Sequence, residues 1–213
     1  VVLMLARHWV GLPHADCESL RRLARNLRPL QEGLAPRNEQ RLAQLLDRRR
    51  LDEVLRLPET LAARVRRTGM PTERLAQNFQ TAVAVEIFLM TGLRIANVAE
   101  LAIGETLILR PDGGADILIP RESVKNRAAF AAELPRPSER LLCEYLRQYR
   151  PLLGDARSNW LFPGMRAGTH KSTAALRDQV TKAMAGVAGV AWNPHLFRHC
   201  LLYTSDAADE EDS

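Results

Sequence analysis

Apolar positions along the chain follow a helical period over most of its length and a two-residue period over a short middle stretch. Between residues 14 and 69, Leu20, Leu23 and Leu27, then Leu42, Leu45 and Leu46, recur at helical spacing, with Pro13, Pro29, Pro36 and Pro58 as punctuation. These predict short amphipathic helices. Gly69-Met70-Pro71-Thr72 marks a boundary, after which Phe79, Ala82, Val85, Ile87, Phe88 and Leu89 predict a long apolar helix ending near Gly92. Arg94 then opens a further short helix. Thr106 to Arg110 and Ile117 to Pro120 read as strands around the hairpin signal Pro111-Asp112-Gly113-Gly114, with a third strand expected at Glu133-Leu134. Helix returns from Pro137 to Arg150 with Leu141, Leu142, Tyr145 and Leu146 inward. Trp160 to Gly164 reads as a short extended piece and turn, and helices resume near Thr173 to Gly186 and at Pro194.

The expected fold class is therefore mostly α with a small antiparallel β-sheet (α+β). Three segments follow: a helical segment over 1–70, a larger unit over 71–199, and a tail over 200–213. The chain shows no internal repeat and no low-complexity linker. The tail, from Cys200 through Tyr203 to Glu210, looks like the read-through translation of a transposase adapter used in sequencing-library preparation. Composition there shifts abruptly to acidic, helix-poor sequence. The expectation is a non-native tail after His199, in a chain truncated at both ends because it opens on Val1 rather than Met.

Charge sharpens this division. The whole chain carries a formal +5, but the tail contributes five acidic residues and no basic one, so residues 1–199 hold 30 basic against 20 acidic residues, a balance of +10. That suits a polyanionic partner, since neutralising phosphates with Lys and Arg drives sequence-independent nucleic-acid affinity. In residues 1–75 there are 15 Arg against 9 acidic residues, with Arg21, Arg22, Arg25, Arg28, Arg48, Arg49 and Arg50 on the exposed helix faces. Both a DNA-contacting face and a solvated one fit this pattern. Hydrophobic content of 46% and a mean hydropathy of −0.21 are those of an ordinary globular chain, and no apolar run approaches a membrane span. A cytoplasmic protein without a membrane partner is expected. Cys17, Cys143 and Cys200 give neither a disulfide framework nor zinc spacing.

Only Lys125, Lys171 and Lys182 stand against 27 arginines. A lysine kept in so Arg-biased a chain points to chemistry that guanidinium cannot do, notably giving up a proton near neutral pH. His195 and Arg198 sit three apart and share one helical face, so both could reach a single phosphate. The planar fork of Arg94 or Arg198 can bond two phosphate oxygens at once, and an imidazole can donate a hydrogen bond or exchange a proton.

Thr91-Gly92-Leu93-Arg94, within TGLRIANVAEL, then Val124-Lys125-Asn126-Arg127, then Asn193-Pro194-His195-Leu196-Phe197-Arg198-His199 together resemble the catalytic set of the tyrosine recombinases, the phage-integrase family, over roughly residues 71 to 199. The resemblance implies an integrase-type catalytic domain preceded by a remnant of the family's core DNA-binding domain. It implies site-specific recombination of double-stranded DNA through a 3′-phosphotyrosine, in an assembly of several protomers, without ATP, metal or other cofactor. Arg94, His195 and Arg198 would hold the phosphate. Lys125 would be the hairpin lysine that protonates the leaving 5′-oxygen, and His199 a supporting group. The position three after the first arginine, usually acidic in the family, is Asn97 here, with Glu100 one turn further on. Lys171 is expected to contact DNA backbone and Lys182 to be a helix-surface charge.

The family's tyrosine nucleophile belongs to helices well beyond the His-x-x-Arg motif. Tyr203 lies five residues past Arg198 inside the adapter-like string, and Tyr145 and Tyr149 fall in a segment read as packing or surface, so none is assigned catalysis. The chain itself is expected to be inactive. Two other readings share part of this evidence: a type IB topoisomerase, and a degenerate integrase that binds DNA as a regulator. An unrelated helical interaction protein, by contrast, predicts no affinity for duplex DNA. No P-loop, dinucleotide fingerprint or acidic cluster for paired magnesium ions supports an ATPase, dehydrogenase or metal-dependent nuclease.

Overall fold

The computed structural model describes residues 47–111, 113–121, 129–155 and 157–187, and positions 13, 16–18, 43, 189, 194, 196 and 197. The helices expected through Leu20 to Leu27 and Leu42 to Leu46, and the tail 200–213, lie outside the described residues. The described chain is mostly helical with one three-stranded antiparallel sheet. Among the described residues no helix is long and apolar enough to cross a membrane.

Helix α1 (Arg48–Leu55) starts on Asp47, whose side chain accepts from the Arg49 amide at 3.0 Å. After Arg56, α2 (Leu57–Arg67) begins with Pro58 in its first turn, where the missing N–H costs nothing. Gly69, at φ 104°, turns the chain toward α3 (Glu73–Thr91), capped by the Thr72 hydroxyl on the Leu75 amide. Leu51, Val54, Leu57, Leu61, Ala62 and Val65 belong to one continuous core with Phe79 and Phe88 of α3. Arg66 reinforces that union, its guanidinium bonding Glu144 in a fork at 2.7 to 3.2 Å and Glu59 at 2.6 Å while lying 5.8 Å from the Phe79 ring. Those carboxylates raise its pKa above the usual arginine range.

Helix α3 is the central shaft. Leu75, Phe79, Ala82, Val83, Ile87 and Phe88 bury positions all round it, as a helix apolar on every side must. It is packed by α2, by α5 (Arg136–Glu144) with the π-helical turn Tyr145–Tyr149 and the 3-10 turn Arg150–Leu152 that follow, and by α6 (Thr173–Val187). Tyr149 stacks on Phe79 with centroids 4.2 Å apart. The buried amide of Gln80 donates to the Tyr145 hydroxyl at 2.9 Å, which in turn donates to the Leu161 carbonyl at 3.0 Å.

The sheet runs β1 (Leu107–Leu109), β2 (Ala115–Ile119), β3 (Phe130–Leu134), with Leu107 opposite Ile117 and Ala115 opposite Leu134. Ala115, Ile117 and Ile119 face the core, and Asp116 and Leu118 face outward. Asp116 and Glu133 are direct cross-strand partners, a like-charge pair that would repel. Arg110 answers both carboxylates, bonding Asp116 at 2.8 Å and Glu133 as well.

Glu86 of α3 is largely buried and accepts from the Ser138 hydroxyl in the first turn of α5. Burial pushes its pKa up, Ser138 opposes this, and Glu59 adds to it. The folded chain thus binds this proton more tightly than the unfolded one. The stability it contributes is full below the ordinary carboxylate pKa and is lost as pH rises through the raised value. Glu86→Gln keeps an acceptor for Ser138 without the buried charge, so its Tm at pH 7 should exceed that of the parent by a few degrees, on the order of 2–4 °C. The gain should shrink to nothing below about pH 4. A parent and variant with equal Tm at pH 7 would contradict a buried, strained carboxylate at this position.

Candidate phosphate-binding site

Arg94 is placed by a compact break between two helices. Helix α3 stops at Thr91; Gly92 takes the left-handed conformation, φ 59° and ψ 21°, which a side-chain-bearing residue adopts with strain, and its amide donates to the Phe88 carbonyl at 2.9 Å. The Thr91 hydroxyl donates to the Ile87 carbonyl at 2.6 Å and accepts from the Leu93 amide at 3.3 Å. Leu93 is buried at 6% exposure, and Arg94 follows in extended conformation as the N-cap of α4 (Ile95–Ala99), its carbonyl accepting from the Val98 amide. The Arg94 side chain is half-buried, and among the described residues none hydrogen-bonds or ion-pairs with it. Asn97 is half-buried on α4, and Glu100 is exposed at its end.

Of the other expected site residues, Lys125, His195, Arg198 and the supporting His199 lie outside the described residues. Their chain neighbours are described. Leu196 and Phe197, between His195 and Arg198, are 0% and 1% exposed, and Phe197 stacks on Phe88 with centroids 5.6 Å apart and planes within 9°. Phe88 forms the last turn of α3, and its carbonyl receives the Gly92 amide in the break that presents Arg94. Lys125 falls in sequence between strands β2 and β3, whose residues Ile119 and Phe130 pair.

Helix α6, which precedes the Phe197 segment, is tied to α3 by a polar chain that gave no sequence signal. Gln179 donates to the Thr81 hydroxyl at 2.7 Å and to the Gln77 carbonyl at 2.6 Å, and accepts from the Lys171 ammonium at 2.8 Å. Lys171, expected to contact DNA backbone, thus has a partner within the chain. It lies half-buried in a packed corner, and burial pushes its pKa down to about 8. Lys182 is exposed on α6, as expected.

Basic residues of the helical segment are partly neutralised at home. Arg48, Arg49 and Arg50 are exposed, but Arg49 meets Glu53 at 3.4 Å and Arg50 meets Asp47 at 3.8 Å. Arg49, Arg56 and Arg64 line an open cleft of about 560 Å³ with Asp52, Glu53, Thr60 and Val187.

Tyr145 and Tyr149 are packing residues. Tyr145 is fully buried with its hydroxyl bonded at both donor and acceptor sides, and burial pushes its pKa well above the usual phenol range. Tyr149 is 3% exposed against Phe79, and burial raises its pKa too. Neither could deliver a phenolate oxygen to a phosphorus. Tyr203 lies outside the described residues.

The family model described as the phage integrase family matches residues 59–204. No curated protein and no solved structure matches the chain.

Proposed function

This chain belongs to the phage integrase family of tyrosine recombinases, whose members recombine DNA at specific sites, and from that premise we propose that Arg94, Lys125, His195 and Arg198 form one pocket for a scissile phosphate of duplex DNA. The observation that carries this reading is the stack of Phe197 on Phe88, which brings the chain flanked by His195 and Arg198 to the turn of α3 that presents Arg94. A half-buried guanidinium with no acidic partner among the described residues costs solvation unless an anion completes it, and Arg94 is such a group.

In the recombination reaction the tyrosine oxygen attacks phosphorus, a 3′-phosphotyrosyl bond forms, and the bond to the 5′-oxygen breaks. Lys125 supplies the proton to that oxygen, while the two guanidiniums and His195 hold the extra negative charge of the transition state. The diester's energy is kept in the phosphotyrosine, so rejoining needs no nucleotide. Several protomers act together on the DNA. Residues 1–70 add further contacts to the duplex backbone ahead of a catalytic unit over 71–199. Neither Tyr145 nor Tyr149 serves as nucleophile, because both are sealed in the core, and Tyr203, five residues after Arg198, is not assigned that role.

One titration tests this. The chain is mixed with a fluorescent 30-base-pair duplex carrying a nick, across a range of salt. Binding should weaken steeply with salt, and Arg94→Ala should reduce the slope of log affinity against log salt by about 0.9, one phosphate contact. Denaturing electrophoresis of the same mixtures should show no covalent adduct. Binding indifferent to salt would remove the DNA reading, and an adduct abolished by Tyr203→Phe would restore Tyr203 as nucleophile.

A further inference from the structure

We infer that Thr91 is a positioning residue for Arg94: its hydroxyl locks the break between α3 and α4 in the one geometry that aims the guanidinium at the phosphate. The inference rests on the reading of Arg94 as a phosphate ligand.

Three things fix the path from α3 to Arg94. Gly92 supplies the left-handed turn, and Leu93 anchors it by burial. Neither finds a partner for the Leu93 amide, which in a continuing helix would bond the carbonyl four residues back. The helix has ended, and the amide turns instead to the Thr91 oxygen at 3.3 Å. That oxygen is itself oriented by donating its proton to the Ile87 carbonyl at 2.6 Å. A hydroxyl bonded only to Ile87 would be an ordinary helical threonine. The second bond, from the far side of the break, makes it a clasp across the turn.

Arg94 is the next residue after the clasped amide, and its backbone is extended at φ −68° and ψ 147°. A change of some tens of degrees in ψ of Leu93 would swing the whole guanidinium arm by several ångströms, the scale on which a bidentate phosphate contact is kept or lost. Thr91 is half-buried beside the Phe88 turn on which Phe197 stacks, so the clasp also sits where the two halves of the pocket meet. Thr91→Val retains shape and β-branching and removes only the hydroxyl.

The test is a double-mutant cycle in the full chain, read by affinity for a 30-base-pair duplex across a salt series, with thermal midpoints as control. Thr91→Val should weaken low-salt binding on the order of fivefold and flatten the salt slope in the same direction as Arg94→Ala, and Thr91→Ser should restore both. In the Arg94→Ala background, Thr91→Val should have no further effect on binding. If Arg94→Ala lowers affinity but Thr91→Val binds as the parent does, or weakens binding equally with and without Arg94, the positioning role is wrong and the phosphate reading stands. If Arg94→Ala leaves affinity and slope unchanged, the phosphate reading fails and takes this inference with it.

Discussion

Phe197→Ala is expected to lower the unfolding free energy by about 3–5 kcal/mol, the usual cost of emptying a buried phenylalanine site. The ring is 1% exposed and lies nearly parallel to Phe88, which is itself fully buried in α3, so truncation strips contacts from both aromatics and leaves a cavity that the stiff helix beside it cannot close. Phe197→Leu, which keeps most of the volume, should cost less than half as much. Urea unfolding with an unchanged slope measures both. A loss under about 1 kcal/mol for the alanine variant would mean that the ring is not in the core, and the argument that joins the His-x-x-Arg segment to Arg94 would go with it. Because Phe197 sits between His195 and Arg198 in sequence, the proposed function has the variant bind duplex DNA with a shallower salt dependence at temperatures where it remains folded.

Arg150→Met should cost about 2–4 kcal/mol, although it places an apolar residue in an apolar setting. Arg150 is only 6% exposed, and its guanidinium is spent on backbone carbonyls: Nε and Nη2 reach Trp160 at 3.0 and 2.7 Å, and Nη2 also bonds Ser158. Methionine leaves those acceptors without donors in a place that water reaches poorly. Lysine, lacking the fork, should recover only part of the loss. The segment so held donates the Leu161 amide to Leu101 and accepts the Ile103 amide at Asn159, both at 2.7 Å, just beyond the end of α4. Hydrogen exchange at Leu161 and Ile103 should therefore quicken in the variant more than exchange in α2. Equal acceleration throughout would show a global effect in place of this local one.

The parts of the fold that could be read from sequence are those where one residue type forces one conformation. Gly92 ended α3 where the apolar pattern stopped, and Gly113 and Gly114, both at positive φ, made the turn between β1 and β2. Strand β3, expected to carry Glu133-Leu134, runs from Phe130, because Ala131 and Ala132, which have little intrinsic taste for strand, are drawn in by pairing with Leu118 and Ile117 in turn. The single helix expected from Pro137 to Arg150 becomes α5, a π-helical turn and a 3-10 turn. Hydrophobic spacing cannot register one extra residue in a turn. Pro58, expected as punctuation between helices, lies in the first turn of α2 just after α1 ends.

Of the candidate site, the placement of Arg94 at a helix start was legible because its turn glycine and helix start are local features. The polar chain Lys171-Gln179-Thr81 was not, since two uncharged residues 98 positions apart leave no periodicity. The same holds for the burial of Glu86 against Ser138 and for Arg150, whose partners are carbonyls that every sequence has.

The contacts that join α6 and Phe197 to α3 are among the most remote of the described residues: Gln179 reaches Gln77 across 102 positions and Thr81 across 98, and Phe197 reaches Phe88 over a comparable span. Closing loops of that length carries an entropy that the pairing of helix α3 with α2 does not meet, because those two helices adjoin in sequence. A nascent chain would therefore pair α2 with α3 early and seat α6 and Phe197 against α3 late. Contacts closed last across such spans lie at the lower end of the local stability range, so amides of α6 should exchange before those buried between α2 and α3.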